Sequence, residues 1–196
     1  MPTKNNFEVV CLADFLETSE DEVFFKNMSL TFSSINKDVE RFLKEKAIQS
    51  TKLGTSSTYV LIYKGQTPQI LGYFTLASKI LSLKQANLSK SSEKVIKRFG
   101  YYDDNSAAYH LPSILIAQLG RNFNENSHTI SGTDLIAIAL RYVKDILRRT
   151  SGKTVFLECE KKQKLVDFYA DNDFLALDNE VLSKDSKELM QMYQLV

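Results

Sequence analysis

The sequence predicts a mixed α/β domain, a central sheet flanked by helices, and three stretches carry that prediction. Two β-rich runs, Thr58–Tyr63 and Ile70–Leu76, bracket Gly65-Gln66-Thr67-Pro68, the pattern of an antiparallel hairpin. A buried-strand run at 113–121 leads through a polar loop into a helix from about Thr133 to Arg149. That helix carries one broad apolar stripe, Ile136, Leu140, Val143 and Leu147, widened by Leu135, Ala139 and Ile146, as suits a helix laid on a sheet. Thr154–Cys159 then reads as a strand, which makes residues 113–159 a strand–helix–strand unit.

The remaining elements follow in order. Phe7–Leu12 reads as a first strand, and the acidic stretch through Glu20, Asp21 and Glu22 as irregular. Val39, Phe42, Leu43 and Ala47 recur at helical spacing over 38–48, with Glu40, Arg41, Lys44 and Glu45 turned to water. Residues 79–98 hold Lys79, Lys84, Lys90, Lys94, Lys97 and Arg98 against one acid, Glu93. They read as part of a basic helical insertion at about 79–108, ending in a loop at Gly100–Ser106. It is either a solvated helix and connector or an arm that meets a phosphate-rich partner. Near the end come a short helix around Lys162–Ala170, a strand at Phe174–Leu177 and a last segment near 190–195.

Composition bounds the function. A chain of 196 residues, 43% hydrophobic and 25% charged, fits one domain over 1–196 with an ordinary core. Its 25 basic and 24 acidic residues leave a net charge of +1, so no global field marks a nucleic-acid or membrane protein. No apolar run approaches a membrane span. Cys11 and Cys159 lie far apart, which suits a reducing compartment and a cytoplasmic location. His110 stands at a strand entrance and His128 in a polar loop; no cluster has metal-ligand spacing, and no metal is expected.

The chemical signal lies at Ile130-Ser131-Gly132-Thr133-Asp134-Leu135-Ile136, hydroxyls and a glycine just ahead of the long helix. The first turn of a helix offers unpaired N–H groups and a positive pole, and so can seat a phosphate. Equally, the same residues are ordinary capping chemistry. Downstream, Phe168-Tyr169-Ala170-Asp171-Asn172-Asp173-Phe174 closes a helix after the returning strand.

Strand, anion-seat loop, long helix, strand and the Tyr169–Phe174 helix end together resemble the GNAT family of acyl-CoA-dependent N-acetyltransferases. The resemblance covers most of residues 35–196 and is best over 111–177. It implies the GNAT fold, a central mixed sheet flanked by helices. It also implies acetyl transfer from acetyl-CoA directly to a primary amine, with no metal and no covalent enzyme intermediate. Leu119, Gly120, Arg121 and Asn122 would hold the pantetheine arm through a splayed strand edge. Ser131, Gly132, Thr133 and Asp134 would seat the pyrophosphate, with the Asp134 carboxylate turned away. Tyr169 would protonate the departing thiolate. Glu158 is the candidate base, with Glu160 beside it on one strand face; Lys161 and Lys162 offer the competing reading of carboxylates neutralised on the surface. The chain departs from the family pattern at Ile130, Lys162 and Asp173, where the family has Gly, Asn and Gly. Within the family it looks like a bacterial branch with some similarity to toxins that acetylate aminoacyl-tRNA. That reading makes the basic stretch a tRNA contact and implies a ribbon-helix-helix antitoxin. The other alternative is a GNAT-fold binding or regulatory protein without turnover. The acceptor and any homodimer stay open.

Overall fold

The computed structural model describes residues 7–124, 130–182 and 188–196. Its strands are β1 (Phe7–Cys11), β2 (Ser57–Tyr63), β3 (Gln69–Lys84), β4 (Tyr101–Asp103), β5 (Ala108–Arg121), β6 (Thr154–Glu160), β7 (Leu175–Leu182) and β8 (Glu188–Leu195). They form an eight-stranded mixed sheet in the order β1-β2-β3-β5-β6-β8-β7, with β4 on β5. Helices are α1 (Leu12–Phe15), α2 (Ser19–Leu30), α3 (Lys37–Arg41), α4 (Ala47–Lys52), α5 (Lys90–Ile96), α6 (Gly132–Thr150) and α7 (Gln163–Ala170); a π-helical turn, Phe42–Lys46, joins α3 to α4. The chain divides into two compact units, Met1–Ala77 with Ala117–Ala139, and Ser78–Ile116 with Leu140–Val196.

In the first unit β1, β2 and the start of β3 form an antiparallel meander, with Val9 opposite Leu61 and Tyr59 opposite Phe74. The acidic stretch read as irregular is the start of α2. Thr18 and Asp21 form a reciprocal capping box there, and acids in the first turn complement the helix pole. Phe25, Met28, Phe32, Leu43, Val60, Ile70 and Tyr73 pack into one buried cluster. Tyr73 is fully buried, its hydroxyl donating to the Val39 carbonyl at 2.6 Å, and burial pushes its phenol well above 10.

In the second unit β5 runs parallel to β6, Ser113–Ile116 against Thr154–Leu157, and β6 pairs with β8 along its whole length. Among the described residues the β5–β6 register ends at Ile116, although β5 continues to Arg121. Leu81, Leu83, Tyr109, Leu111, Phe156, Leu177 and Tyr193 form a second cluster, which Ile96 of α5 joins. The segment read as a basic helical insertion begins as strand: β3 runs through Lys84, and only Lys90–Ile96 is α-helical. The reason is alternation, because Leu81 and Leu83 are buried while Ser82 and Lys84 are exposed. Within the loop read over 100–106, Tyr101–Asp103 forms β4 against β5.

Candidate functional site

In the first unit the end of β5 and the start of α6 meet. Arg121 reaches the Ile130 carbonyl through Nη1 at 3.5 Å, and its guanidinium lies 4.1 Å from the Phe123 ring centroid. A positive charge therefore stands beside the first turn of α6, where the free N–H groups are. Ser131 caps that helix: its Oγ accepts from the Asp134 N–H at 3.0 Å and donates to Asp134 Oδ2 at 2.6 Å. The Asp134 carboxylate is thus drawn back toward the cap, whereas a seated pyrophosphate would require it to turn away. Gly132 and Thr133 occupy the first turn, beside an exposed Ser131. Ile130 and Leu135 are 7% and 1% exposed, at the two positions of a hydrophobic staple. That accounts for a β-branched residue where the family has glycine: Ile130 is buried just ahead of the cap of α6.

The strand residues divide by role. Leu119 is half-buried. Gly120 is demanded by packing, since a Cβ there would lie 2.4 Å from Val39 Cγ1 and 3.2 Å from the Tyr73 ring. Asn122, 4% exposed, is a clamp. Its Oδ1 accepts from the Ser33 and Asn124 N–H groups at 3.0 and 2.9 Å, and its Nδ2 donates to the Ile70 carbonyl at 2.8 Å. Its own N–H donates to Leu71, and the Phe123 N–H to Ser33. The Asn122 side chain is committed to protein partners.

Tyr169 closes α7 in the second unit. The Phe174 N–H returns to the Tyr169 carbonyl and the Asp173 N–H to Ala170, both at 3.0 Å, a Schellman ending with Asp173 at φ 67°. The left-handed conformation accounts for glycine at that position in the family. Phe174 is 2% exposed and its ring meets Tyr169 edge-on at 5.9 Å. Burial, with Cys159 nearby, pushes the Tyr169 phenol well above its ordinary 10. Cys159 is buried and its thiol is also raised by burial.

Alternation along β6 sends Glu158 and Glu160 to the face opposite Cys159. Glu158 is exposed and accepts from Gln191 Nε2 at 2.9 Å. Glu160 pairs with Lys162, so that lysine serves a surface carboxylate. Tyr169 and Glu158 are not brought together. Of the basic stretch, Lys97 is held by Glu93, which also binds Gln85 and Tyr109 and sits below the usual carboxylate range. Lys79, Lys84, Lys90, Lys94 and Arg98 are exposed, as is Tyr101. His110 contacts Ser82 Oγ at 2.8 Å and faces Asp103 at 3.8 Å, a cluster the sequence did not announce because its members come from three different strands. His128 lies outside the described residues. Among those residues no group of His, Cys, Asp and Glu is arranged to hold a metal, and no helix is long and apolar enough to cross a membrane.

No family model matches the sequence, and no curated protein does so significantly. Solved structures do match the fold. A Tyr→Phe variant of KacT superposes with a TM-score of 0.67 at 20% identity, covering 95% of each chain. AtaT complexed with acetyl-methionyl-tRNA gives 0.65 at 18% identity over 94% of this chain and 93% of that one. AtaTR bound with acetyl-CoA gives 0.60 at 19% identity over 94% and 92%. The order of strands and helices, with near-complete coverage of both chains, gives this protein the GNAT fold in the form found in the toxins KacT and AtaT.

Proposed function

We propose that this protein is an acetyl-CoA-dependent N-acetyltransferase acting on a primary amine. The observation that carries the reading is the meeting of Arg121 with the first turn of α6, in a chain whose fold neighbours include a toxin complex bound with acetyl-CoA. Gly132 and Thr133 N–H groups, the helix pole and the Arg121 guanidinium supply complementary charge for a pyrophosphate. The backbone of β5 at Leu119–Arg121 supplies donors and acceptors for an amide-bearing arm. Asn122 shapes that edge from behind.

In the reaction the acceptor nitrogen adds to the thioester carbonyl, the C–S bond breaks, and one proton moves in net from the amine to the sulfur. Tyr169 is the donor in this scheme. A phenol raised above its ordinary value keeps its proton at the pH where an amine acceptor begins to lose its own, so it is loaded when the thiolate leaves. The proton released by the amine restores it through solvent. Glu158, on the other sheet face from Cys159, is left as a surface carboxylate, and water is the base we favour.

Two measurements test this. Calorimetric titration with acetyl-CoA and with its dephospho form should show micromolar binding that weakens as phosphate is removed. Tyr169→Phe should lower the acetyl-transfer rate on the order of 10²–10⁴-fold with melting and acetyl-CoA binding unchanged. Unchanged turnover would make Tyr169 a packing residue. Absence of binding at millimolar acetyl-CoA would leave a GNAT-fold binding protein.

A second reading names the acceptor as the amino group of an aminoacyl-tRNA. It is favoured by the exposed lysines of the second unit and by the acetyl-methionyl-tRNA held by AtaT. An antitoxin partner follows from it, as in the AtaT structure bound to the C-terminus of AtaR. Under this reading tRNA binding should weaken steeply with salt, and Lys79, Lys84 and Lys90→Glu should each lower the slope by about 1.

A further inference from the structure

Within the second unit, Ser82 of β3, Asp103 of β4, His110 of β5 and Ser106 of the turn between β4 and β5 form a linked cluster that the acetyl-transfer chemistry does not use. Ser106 Oγ donates its hydrogen to Asp103 Oδ2 at 2.6 Å and also lies 3.4 Å from His110 Nε2. With its single hydrogen committed there, Ser106 can only accept from that nitrogen, so Nε2 carries the proton of the neutral ring. Nδ1 is then bare, and at 2.8 Å it accepts from the Ser82 hydroxyl. Every proton in the row from Ser82 to Asp103 therefore points toward the carboxylate, whose Oδ2 lies 3.8 Å from Nε2. Hydrogen bonds from Ser106 and from the Asn105 N–H hold the Asp103 carboxyl below its usual range, so it is charged at neutral pH. The turn that carries Ser106 is strained. Ala107 has φ 49°, a left-handed conformation that residues with a side chain seldom adopt, and such strain gathers at functional sites.

We propose that this cluster is a second reactive site that cleaves small carboxylic esters bearing an aromatic group, with Ser82 as nucleophile, His110 as its base and Asp103 facing the charged ring. A hydroxyl within hydrogen-bond reach of a base, the base oriented in turn by a third group, is the arrangement that activates a serine. Ser82 is exposed and His110 and Asp103 are half-buried, so the hydroxyl is open to a ligand from solvent. Tyr101, 72% exposed, is the register partner of His110 on β4, and Ile80, 59% exposed, shares a strand face with Ser82. These two apolar side chains beside the pair set the preference for an aromatic ester. In the first step Ser82 Oγ bonds to the ester carbonyl carbon and its proton passes to His110 Nδ1. The C–O bond to the leaving phenol or alcohol then breaks, and that oxygen takes the proton from Nδ1. Water next adds to the acyl-serine, giving one proton to Nδ1; the carboxylic acid leaves as that proton returns to Ser82 Oγ. Asp103 faces the imidazolium formed in each step. The reaction needs no acetyl-CoA, so it stands apart from the acetyltransferase reading.

The test is incubation of the full chain with p-nitrophenyl acetate, followed by nitrophenolate absorbance and by mass spectrometry of the digested protein. An acetyl group on Ser82 and turnover above that of buffer are expected in the parent. Ser82→Ala should lose both. His110→Gln keeps a side-chain acceptor for the Ser82 hydroxyl but supplies no base, so it should slow acylation of Ser82 on the order of 10²–10⁴-fold; a merely structural histidine would leave the rate unchanged. Tyr101→Ala should raise KM for the aryl ester several-fold and keep kcat. Each variant is assayed well below its own melting point, and Ser82 and Tyr101 are exposed, so their truncation leaves the fold intact. Acetylation confined to lysines, or a Ser82 adduct formed as fast in His110→Gln as in the parent, overturns the proposal. Acetyl-CoA titration of Ser82→Ala should match the parent. Ester cleavage retained by a parent that binds no acetyl-CoA would remove the acetyltransferase reading and leave this one standing.

Discussion

Asn122 is where the sequence reading and the geometry can be separated by one substitution. In Asn122→Ala the buried Ile70 carbonyl loses its donor, and the Ser33 and Asn124 N–H groups lose their shared acceptor. Leaving one buried carbonyl unpaired costs about 1–3 kcal/mol, and each part-buried bond lost costs about 0.5–1.5 kcal/mol. The expected destabilisation is therefore about 2–6 kcal/mol, a large part of the total stability of a small domain. Urea unfolding followed by circular dichroism reads this directly, and at about 2–4 °C per kcal/mol the melting point should fall on the order of 10 °C. Asn122→Asp keeps the acceptor and loses the donor, so it isolates the Ile70 bond together with the cost of a buried carboxylate. If Asn122→Ala unfolds within about 1 kcal/mol of the parent while acetyl-CoA affinity collapses, the side chain serves the ligand and the clamp reasoning fails.

Three further outcomes are expected. Glu40, paired with Lys37 and Lys44 and accepting from the Ser34 N–H, has its carboxyl lowered from 4.5 to about 2. Its contribution is present above pH 4.5 and is lost as pH falls through about 2, so Glu40→Gln should flatten the acid limb of the stability–pH curve between those values. Asp173→Gly relieves a left-handed non-glycine residue and should stabilise by about 1 kcal/mol, whereas Asp173→Val should destabilise; differential scanning calorimetry compares them, and equal melting points would contradict the backbone argument. Asp134→Asn removes a carboxylate drawn to the cap of α6 and should tighten acetyl-CoA binding several-fold in calorimetry while lowering stability by about 0.3–1 kcal/mol; weaker binding would mean that the first turn of α6 is not the seat.

The parts of this fold that are legible in the sequence are those with a clear period. The stripe from Leu135 to Leu147 specifies α6, and the hairpin runs around Gly65–Pro68 specify β2 and β3. Helix α2 is less legible because Val23, Phe24 and Leu30 are exposed, so its apolar residues surround it and no stripe stands out. Its start was nonetheless written in Thr18 and Asp21, three residues apart, ahead of Phe24 and Phe25. The basic stretch misleads for a related reason. Lys84 sits on the wet side of a strand whose alternation is only four residues long, Leu81 to Lys84, and Lys79 precedes it in a stretch, Ser78 to Ile80, exposed on both faces.

The candidate site shows a different limit. Residue types single out Ser131–Asp134, the family resemblance adds Leu119–Asn122, and the fold joins the two stretches through Arg121 and Ile130. What spacing does not reveal is which groups are already committed. Gly120 is fixed by Val39, some eighty residues earlier, and Asn122 by Ser33 and Ile70, all distant in the chain. A glycine and an amide beside a helix start look the same in one dimension whether they admit a ligand or a neighbouring side chain. Glu158 is the complementary case. Strand alternation correctly puts it on a face with Glu160, but only the placement of Tyr169 against Cys159 shows that this is the opposite face from the phenol. The proposed donor Tyr169 and the Glu158 carboxylate therefore belong to opposite faces of β6, so the proposed proton path runs through Tyr169 and solvent.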